Sequence, residues 1–368
     1  MPSRRKKQAG LSHLIPKNHF VSMSFFREEP LIEWDFTKSV LFTSYDIHRS
    51  SDFWIDSILR RGMTLKEGLV ELGFPKSNTL VADTGVFEIE ARKAGIARRL
   101  GITPEIQLSN EQVFRAYDIS GADYFVSPDE IILPTDNMEI TREKVAKIKK
   151  NALSLLERFP AKNVIGVIQG HSQPVISEIY EFYKSHGLQI FAAGGVIPLF
   201  KHDEGLFKRT LKYIRQITEG FWLHTFGLPM INLLPFYLGI VGMDSVDTSM
   251  LLYLTARRRY LQGTNASQVR EAEFEECDCR GCKKLREKMH PRSIDFFIAL
   301  YIHNLSEAAK ISEDPLSYIQ SMPDKKDSKS RKLRKQIKKK SKLDKSQKIK
   351  KHANWRTAAD FLEEKNDH

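Results

Sequence analysis

The sequence contains few cysteines and no long apolar run. Only three cysteines occur in 368 residues, all between positions 277 and 282, which excludes a disulfide framework and favours a metal site in a reducing compartment. No apolar run reaches the roughly 18 residues that suggest a membrane-spanning helix. The basic start, Met1–Lys7, is not followed by an apolar segment, so we expect no secretory signal, no membrane contact and a cytoplasmic protein.

Net positive charge is missing from most of the chain. The formal net charge is +12, yet residues 325–351 alone contain 15 Lys and Arg against 2 Asp, a net charge of +13. The other 341 residues therefore carry a net charge of −1. A basic segment of this kind is typical of contact with nucleic acid or another polyanion. The alternative is a solvated tail that only keeps the protein in solution.

Short apolar strands alternate with helical segments along the chain. The predicted strands are residues 39–44, 79–82, 122–126, 163–168, 188–192, 221–226 and 236–241. This alternation, with polar or glycine-rich residues after each strand, predicts an α/β fold and favours a (β/α)8 TIM barrel. A doubly wound open sheet is the structural alternative. The Gly194-Gly195 pair does not form a G-x-G-x-x-G motif, so we reject a dinucleotide site.

Two aspartates follow the last predicted strand. The apolar run Phe236–Val241 is followed by Gly242 and then by Asp244 and Asp247. Acidic side chains after parallel strands gather at the edge of an α/β protein where catalysis occurs. The alternative is that Asp247 caps a helix predicted from Thr248 to Leu261.

The cysteines form a C-x-C-x-x-C pattern that is typical of zinc. Cys277, Cys279 and Cys282 can supply three thiolates from one tight turn, and tetrahedral zinc needs a fourth ligand. The candidates are His303, in a helix-like stretch, and His290, beside a proline; we prefer His303. Four protein ligands would make this a closed structural site with one Zn²⁺ per chain, whereas the alternative is three free buried cysteines.

Six motifs together resemble the tRNA-guanine transglycosylase family. They are Asp83-Thr-Gly-Val-Phe87, Asp129-Glu130, Gly166-Val-Ile-Gln169-Gly170, Ala193-Gly194-Gly195-Val196, Met243-Asp-Ser-Val-Asp247, and the C-x-C-x-x-C with a later His-Asn-Leu. They occur in the family's order over roughly residues 38–310. The run from Asp247 to Leu261 resembles the archaeal type, but this chain has a lysine-rich tail in place of that type's C-terminal extension with its RNA-binding (PUA) domain. The chain is also similar to transglycosylases that place 7-deazaguanine in DNA. Val86 departs from the family pattern, which has a small residue there.

The resemblance implies a base exchange that replaces guanine in a polynucleotide with a 7-deazaguanine, such as 7-cyano-7-deazaguanine. Asp247 would be the nucleophile that forms a covalent sugar–enzyme intermediate, and Asp83 the general acid and base. Asp129 and Gln169 would bind the guanine-like edge, with the backbone of Gly194 and Gly195 reading the exocyclic oxygen.

The resemblance does not settle the roles of Asp244 and His224 or the identity of the substrate. We interpret Asp244 as a supporting residue that does not touch substrate, and we assign no role to His224. tRNA is the favoured substrate and DNA the alternative. A non-catalytic nucleic-acid-binding subunit is a further alternative, although the presence of both Asp83 and Asp247 argues against it. A homodimer through the zinc region stays open.

We predict four segments along the chain. Residues 1–35 lead into the barrel, residues 36–263 form the (β/α)8 barrel catalytic domain, and residues 264–320 form a zinc-binding subdomain with a closing helix. Residues 321–368 form the lysine-rich tail, which we expect to be disordered.

Overall fold

Eight parallel strands close into a barrel in the computed structural model, which describes residues 18–22, 39–48, 54–86, 108–269, 274, 277–287 and 289–316. The strands are β1 (Asn18–Ser22), β2 (Ser39–Thr43), β3 (Thr79–Asp83), β4 (Tyr124–Val126), β5 (Val164–Ile168), β6 (Ile190–Ala193), β7 (Trp222–Thr225) and β8 (Ser245–Thr248). They follow chain order around the barrel, and β1 pairs with both β2 and β8. The predicted TIM-barrel fold is confirmed, and the open-sheet alternative is excluded.

Helices on the outside of the barrel follow most of the strands. They are α1 (Ser44–His48), α2 (Trp54–Arg60), α3 (Leu65–Glu71), α4 (Asn110–Ser120), α5 (Met138–Leu156), α6 (Gln173–Ser185), α7 (Val196–His202), α8 (Glu204–Ile217), α9 (Met250–Ala256), α10 (Arg280–Leu285) and α11 (Ile294–Glu313). The capping box predicted at Ser109 and Gln112 is present at the start of α4. No helix in these described segments is long and apolar enough to cross a membrane.

The prediction of a strand over residues 236–241 is wrong. Phe236–Val241 forms a π-helical turn, which ends at Gly242 with a φ of 81°. The run is apolar because it is covered from two sides: Tyr237 lies against Phe207 of α8, and Gly239 lies against Leu316 after α11. The last barrel strand is instead Ser245–Thr248, so Asp247 lies inside β8 rather than beyond a strand.

The two ends of the barrel also differ from the prediction. β1 lies within residues 1–35, so the barrel takes a strand from the segment that we expected to precede it and begins before residue 36. The helix predicted to reach Leu261 is wrong in its second half, because α9 ends at Ala256 and Arg258 takes a φ of 52° that turns the chain back. Arg259–Gln262 (β9) then pairs antiparallel with Asn265–Gln268 (β10). The predicted tail, residues 321–368, lies outside the described residues.

The side chains of the barrel strands alternate between two apolar layers. Outward-facing residues, such as Leu80 and Val246, pack against the helices. Inward-facing residues, such as Val81, Val167 and Trp222, form a separate cluster inside the barrel. Because successive residues of a strand point to opposite faces, the residue two positions after an inward-facing one also faces inward. This alternation decides which polar side chains enter the barrel mouth.

Candidate active site and metal centre

Four polar residues continue the inward-facing rows at the C-terminal end of the barrel. Asp83 follows Val81 by two positions, Gln169 follows Val167, His224 follows Trp222, and Asp247 follows the buried Ser245. The C-terminal face is where TIM barrels carry their active sites. The structure therefore brings the predicted residues Asp83, Gln169 and Asp247 to one mouth, and it adds His224, to which the sequence analysis gave no role.

Asp83 lies at the end of β3 among other carboxylates. Burial, followed by the negative charges of Asp129 and Asp247, raises the pKa of Asp83 to about 8, although the backbone N–H groups of Gly85 and Thr84 act in the opposite direction. The Gly85 N–H donates to Asp83 Oδ2 at 3.1 Å. At neutral pH the Asp83 side chain is therefore largely a neutral carboxylic acid, the form that can deliver a proton.

Gln169 and Asp129 form a buried polar pair opposite two glycines. Gln169 Nε2 donates to Asp129 Oδ2, and both side chains are buried. A Cβ added to Gly194 would lie 2.3 Å from Gln169 Nε2, and one added to Gly195 would lie 2.6 Å from Gln169 Oε1. The glycines are therefore needed for the close approach, and Gly195 has a φ of 65°. Among the described residues Gln169 Oε1 has no hydrogen-bond partner, so a buried acceptor is available there to a ligand.

One oxygen of Asp247 accepts a backbone hydrogen bond and lies near an imidazole nitrogen. The Gly227 N–H donates to Asp247 Oδ1 at 2.6 Å, and His224 Nε2 lies 3.4 Å from the same oxygen. Among the described residues, these contacts are made by Oδ1 and not by Oδ2. Asp247 is thus held on one side, and its second oxygen can approach a substrate.

Asp244 belongs to a different structural unit from Asp247. Its Oδ2 accepts from Arg215 Nη1 at 2.9 Å and from the Leu223 N–H at 3.0 Å. Arg215 is buried and also donates to the carbonyl oxygens of Thr218 and Phe221. This ion pair attaches the start of β8 to α8 and β7, which fits the interpretation of Asp244 as a supporting residue.

The three cysteines and His303 converge on one point. Their ligand atoms lie within 4.8 Å of one another, and His303 Nδ1 is 3.6, 3.4 and 3.2 Å from the sulfurs of Cys277, Cys279 and Cys282. Tetrahedral zinc, with bonds of about 2.3 Å to sulfur and about 2.0 Å to nitrogen, would place these atoms about 3.6 Å apart. The four residues fit a metal ion of this type, and His290 does not belong to the group.

Neighbouring groups orient the ligands of this cluster. His303 Nε2 lies 2.7 Å from the Leu261 carbonyl oxygen, so it can donate there and leave Nδ1 for a metal. The Tyr260 ring stacks on the His303 ring at 3.8 Å, and its hydroxyl lies 3.2 Å from Cys282 Sγ. Hydrogen bonds from the Cys282 thiol, and then from His303, lower the pKa of the Cys279 thiol despite its burial. A lowered pKa favours the thiolate, which is the form that binds metal.

Gly281 is needed at this centre because there is no space for a side chain at its position. A Cβ on Gly281 would lie 2.2 Å from the Ala299 carbonyl oxygen and 2.7 Å from the His303 nitrogen. Only glycine therefore allows α10 to approach the backbone of α11 closely enough to bring the cysteines to His303. Asn304 adds a second connection, because its Oδ1 accepts from the Leu261 N–H and its Nδ2 donates to Thr255 Oγ1.

A family model described as queuine tRNA-ribosyltransferase matches residues 72–314. The chain belongs to this family. The matched range contains every predicted catalytic, substrate-binding and metal-ligating residue, from Asp83 to His303. No curated protein matches the chain.

Membership in the queuine tRNA-ribosyltransferase family supports an activity of the tRNA-guanine transglycosylase kind. The family consists of pentosyltransferases that act on a nucleic acid, tRNA. The resemblance inferred from six motifs is therefore confirmed at the level of the family. The archaeal type stays a prediction.

Proposed function

We propose that the protein replaces a guanine in tRNA with a 7-deazaguanine, such as 7-cyano-7-deazaguanine, through a covalent intermediate on Asp247. The observation that carries this proposal is the different environment of two aspartates at one barrel mouth. Asp83 has a pKa of about 8 and is protonated at neutral pH, whereas Asp247 accepts a backbone N–H and faces His224. Paired carboxyl groups with separate roles suit substitution at a sugar carbon.

In the proposed first step, Asp247 attacks C1′ of the target ribose. A bond forms between a carboxylate oxygen and C1′, and the bond from C1′ to guanine N9 breaks with its electron pair moving to the base. The Asp83 carboxylic acid donates its proton to the departing guanine and becomes a carboxylate. The incoming base then loses its N9 proton to Asp83 and attacks C1′, which releases the Asp247 carboxylate.

The incoming base would be read by the polar pair opposite the two glycines. Gln169 Oε1 is a buried acceptor that a donor on the base edge can satisfy, and the Asp129 carboxylate lies beside it. Gly194 and Gly195 leave the space that a flat base needs next to Gln169, since a Cβ at either position would collide with that side chain. The target nucleotide would have to leave its stack to reach the mouth.

Cys277, Cys279, Cys282 and His303 would hold one zinc ion per chain in this proposal. Such a metal supplies a cross-link between α10 and α11 and no reaction step, because four protein ligands leave no coordination position for substrate. Three thiols in one cluster also suit a reducing compartment, which supports our proposal of a cytoplasmic location. A homodimer through this region stays a prediction.

The test is exchange of labelled guanine into unmodified tRNA and into duplex DNA, assayed side by side. We expect incorporation into tRNA by the wild-type protein, and a loss of at least about 10³-fold in Asp247→Asn because an amide cannot form the glycosyl ester. Asn can still accept the Gly227 N–H, so the variant should retain its fold by thermal melting. Near-normal exchange by Asp247→Asn would contradict the nucleophile assignment. Exchange into DNA alone would show that the substrate is DNA and not tRNA. Exchange into neither nucleic acid would favour a non-catalytic subunit.

A further inference from the structure

We propose that Tyr260 supports the metal centre from outside the ligand set: its hydroxyl donates a hydrogen bond to the metal-bound sulfur of Cys282, and its ring fixes the orientation of His303. This inference rests on the metal centre of the proposed function and is independent of guanine exchange. Tyr260 lies in β9 and is buried, with 2% of its surface exposed. From this position a single side chain reaches two of the four ligands.

The ligand set carries more negative charge than a divalent metal ion neutralises. Three thiolates and one neutral imidazole around such an ion leave one excess negative charge. The surroundings are apolar, because Cys282 and Tyr260 lie in one buried cluster with side chains such as Leu300. Burying a charge in apolar surroundings is costly unless hydrogen-bond donors face it. A donor directed at a ligand sulfur therefore stabilises the metal-bound state.

Metal binding decides which atom donates in the contact between Tyr260 and Cys282. The hydroxyl oxygen lies 3.2 Å from the Cys282 Sγ atom, and either atom can act as the donor while Cys282 is a thiol. A metal-bound cysteine is a thiolate without a proton, so its sulfur can only accept. The Tyr260 hydroxyl is then the donor. The adjacent ligand also accepts a hydrogen bond, since the Cys282 N–H donates to Cys279 Sγ at 3.3 Å.

The ring of Tyr260 acts on a different ligand. It stacks on the His303 imidazole, with centroids 3.8 Å apart and ring planes 10° from parallel. The next residue of β9 holds the same imidazole, because His303 Nε2 lies 2.7 Å from the Leu261 carbonyl oxygen. Rotation of the imidazole would lose both contacts, so Nδ1 stays directed at the three sulfurs. Groups that orient metal ligands in this way raise the affinity for the metal.

The first experiment compares Tyr260→Phe, which loses the hydroxyl and keeps the ring, with Tyr260→Leu, which loses both. We expect the zinc affinity of the full-length protein, measured by competition with a chromophoric chelator, to fall about 10-fold in the Phe variant and about 100-fold in the Leu variant. The matched control is Tyr117→Phe. Tyr117 is also buried, and its hydroxyl donates to the Val126 carbonyl oxygen at 2.8 Å in the barrel. This variant loses a buried hydrogen bond elsewhere and should keep wild-type zinc affinity.

Cobalt(II) in place of zinc reports on the sulfur atoms directly. A hydrogen bond lowers the energy of the sulfur lone pairs, so its loss shifts the thiolate-to-cobalt charge-transfer absorption to longer wavelength. We expect this shift in Tyr260→Phe and not in Tyr117→Phe, because a change in stability alone does not alter the sulfur. Should Tyr260→Phe fold poorly, 3-fluorotyrosine at position 260 provides a second measurement. Its more acidic hydroxyl is a stronger donor, and the absorption should move to shorter wavelength.

Three results would contradict the proposal. Wild-type zinc affinity together with an unshifted cobalt absorption in Tyr260→Phe would overturn the hydrogen bond to Cys282. Equal zinc affinities of the Phe and Leu variants would overturn the role of the ring at His303. A wild-type protein that binds neither zinc nor cobalt would overturn the metal centre and this inference with it, whether or not the protein exchanges guanine.

Discussion

Asp83 and Asp247 are identical side chains that differ only in their surroundings. Burial, followed by the carboxylates of Asp129 and Asp247, disfavours the charged form of Asp83, while Asp247 accepts an N–H at 2.6 Å. The sequence shows two aspartates after strands and cannot separate their roles, because the pKa of Asp83 depends on groups far away in the chain. The assignment of Asp83 as the acid came from family resemblance, and its raised pKa supports it.

Asp83→Asn should change the pH dependence of stability. The pKa of Asp83 is about 8 in the folded protein, against an ordinary value of 3.8. Between these values only the unfolded state loses the proton, so the contribution of Asp83 falls as pH rises from about 4 to about 8. Asn cannot ionise, so this loss does not occur in the variant. We expect the melting temperature of Asp83→Asn to exceed that of the wild-type protein by on the order of 2–5 °C at pH 8 and by less at pH 5.

The matched control for this titration is Asp203→Asn. Asp203 caps α8, and hydrogen bonding from the Leu206 N–H lowers its pKa. The Asp203 carboxylate therefore stabilises the folded protein above its ordinary pKa, and this stabilisation is lost at lower pH. The melting temperature of Asp203→Asn should not rise relative to that of wild type as pH rises. A melting-temperature difference for Asp83→Asn that is the same at pH 5 and pH 8 would contradict the raised pKa.

At the scale of elements, an ion pair between Arg215 and Asp244 holds the start of β8 in place. Asp244 lies three positions before Asp247, yet it binds Arg215 and faces away from the site. Arg215→Met should lower the free energy of unfolding by about 2–4 kcal/mol, because it leaves a partly buried carboxylate without its charged partner. Arg158→Met is the control: its ion pairs with Asp118 and Glu111 are exposed, and we expect a loss of about 1 kcal/mol or less. Denaturant unfolding of the two variants measures both values.

Because Asp244 belongs to this ion pair and Asp247 does not, substitution of the two aspartates should have different effects. Asp244→Asn should lose stability while retaining guanine exchange within about tenfold of wild type, whereas Asp247→Asn should lose exchange and retain stability. A complete loss of exchange in a folded Asp244→Asn protein would show that Asp244 acts in the reaction itself.

The metal centre links two helices and can be tested with a matched pair of histidines. His303 lies 3.2–3.6 Å from three sulfurs, whereas His290 lies in a turn and contacts the Arg292 N–H. We expect wild-type protein to contain one zinc per chain, His303→Ala to lose most of it together with thermal stability, and His290→Ala to keep both. Elemental analysis and melting curves measure the two effects. Equal metal content in the two variants would contradict the proposed ligand set.

At the scale of the whole molecule, charge is divided unevenly between residues 325–351 and the rest of the chain. Residues 325–351 carry +13 and the rest of the chain −1. We predict that truncation after Met322 weakens tRNA binding and flattens its salt dependence, because each lost phosphate contact lowers the slope by about 0.7–0.9. Turnover at saturating tRNA should change little, since the barrel carboxylates are retained. Binding across a salt series measures the slope, and identical slopes would show that the tail does not contact tRNA.

The strand–helix alternation, the cysteine cluster and the preference for His303 could all be read from the sequence. Strands β2 to β7 were placed within two residues at each end, because buried parallel strands are short apolar runs bounded by polar residues and glycine. The ligand spacing of a C-x-C-x-x-C turn is local, so its chemistry does not depend on the rest of the fold. The strands and the cysteine turn are determined by residues close together in the chain, and the preference for His303 over His290 followed from the helix-like stretch around it.

What the tertiary structure decided depends on partners that are distant in sequence. Phe236–Val241 is apolar like a strand, but it is a π-helical turn because α8 and the residues after α11 cover it. β1 has no strong pattern of its own and is defined by pairing with β8, more than 200 residues away. His224 becomes a neighbour of Asp247 only when β7 and β8 pair and their inward-facing side chains share the barrel mouth. Periodicity shows which residues can face inward, whereas barrel closure determines which of them meet.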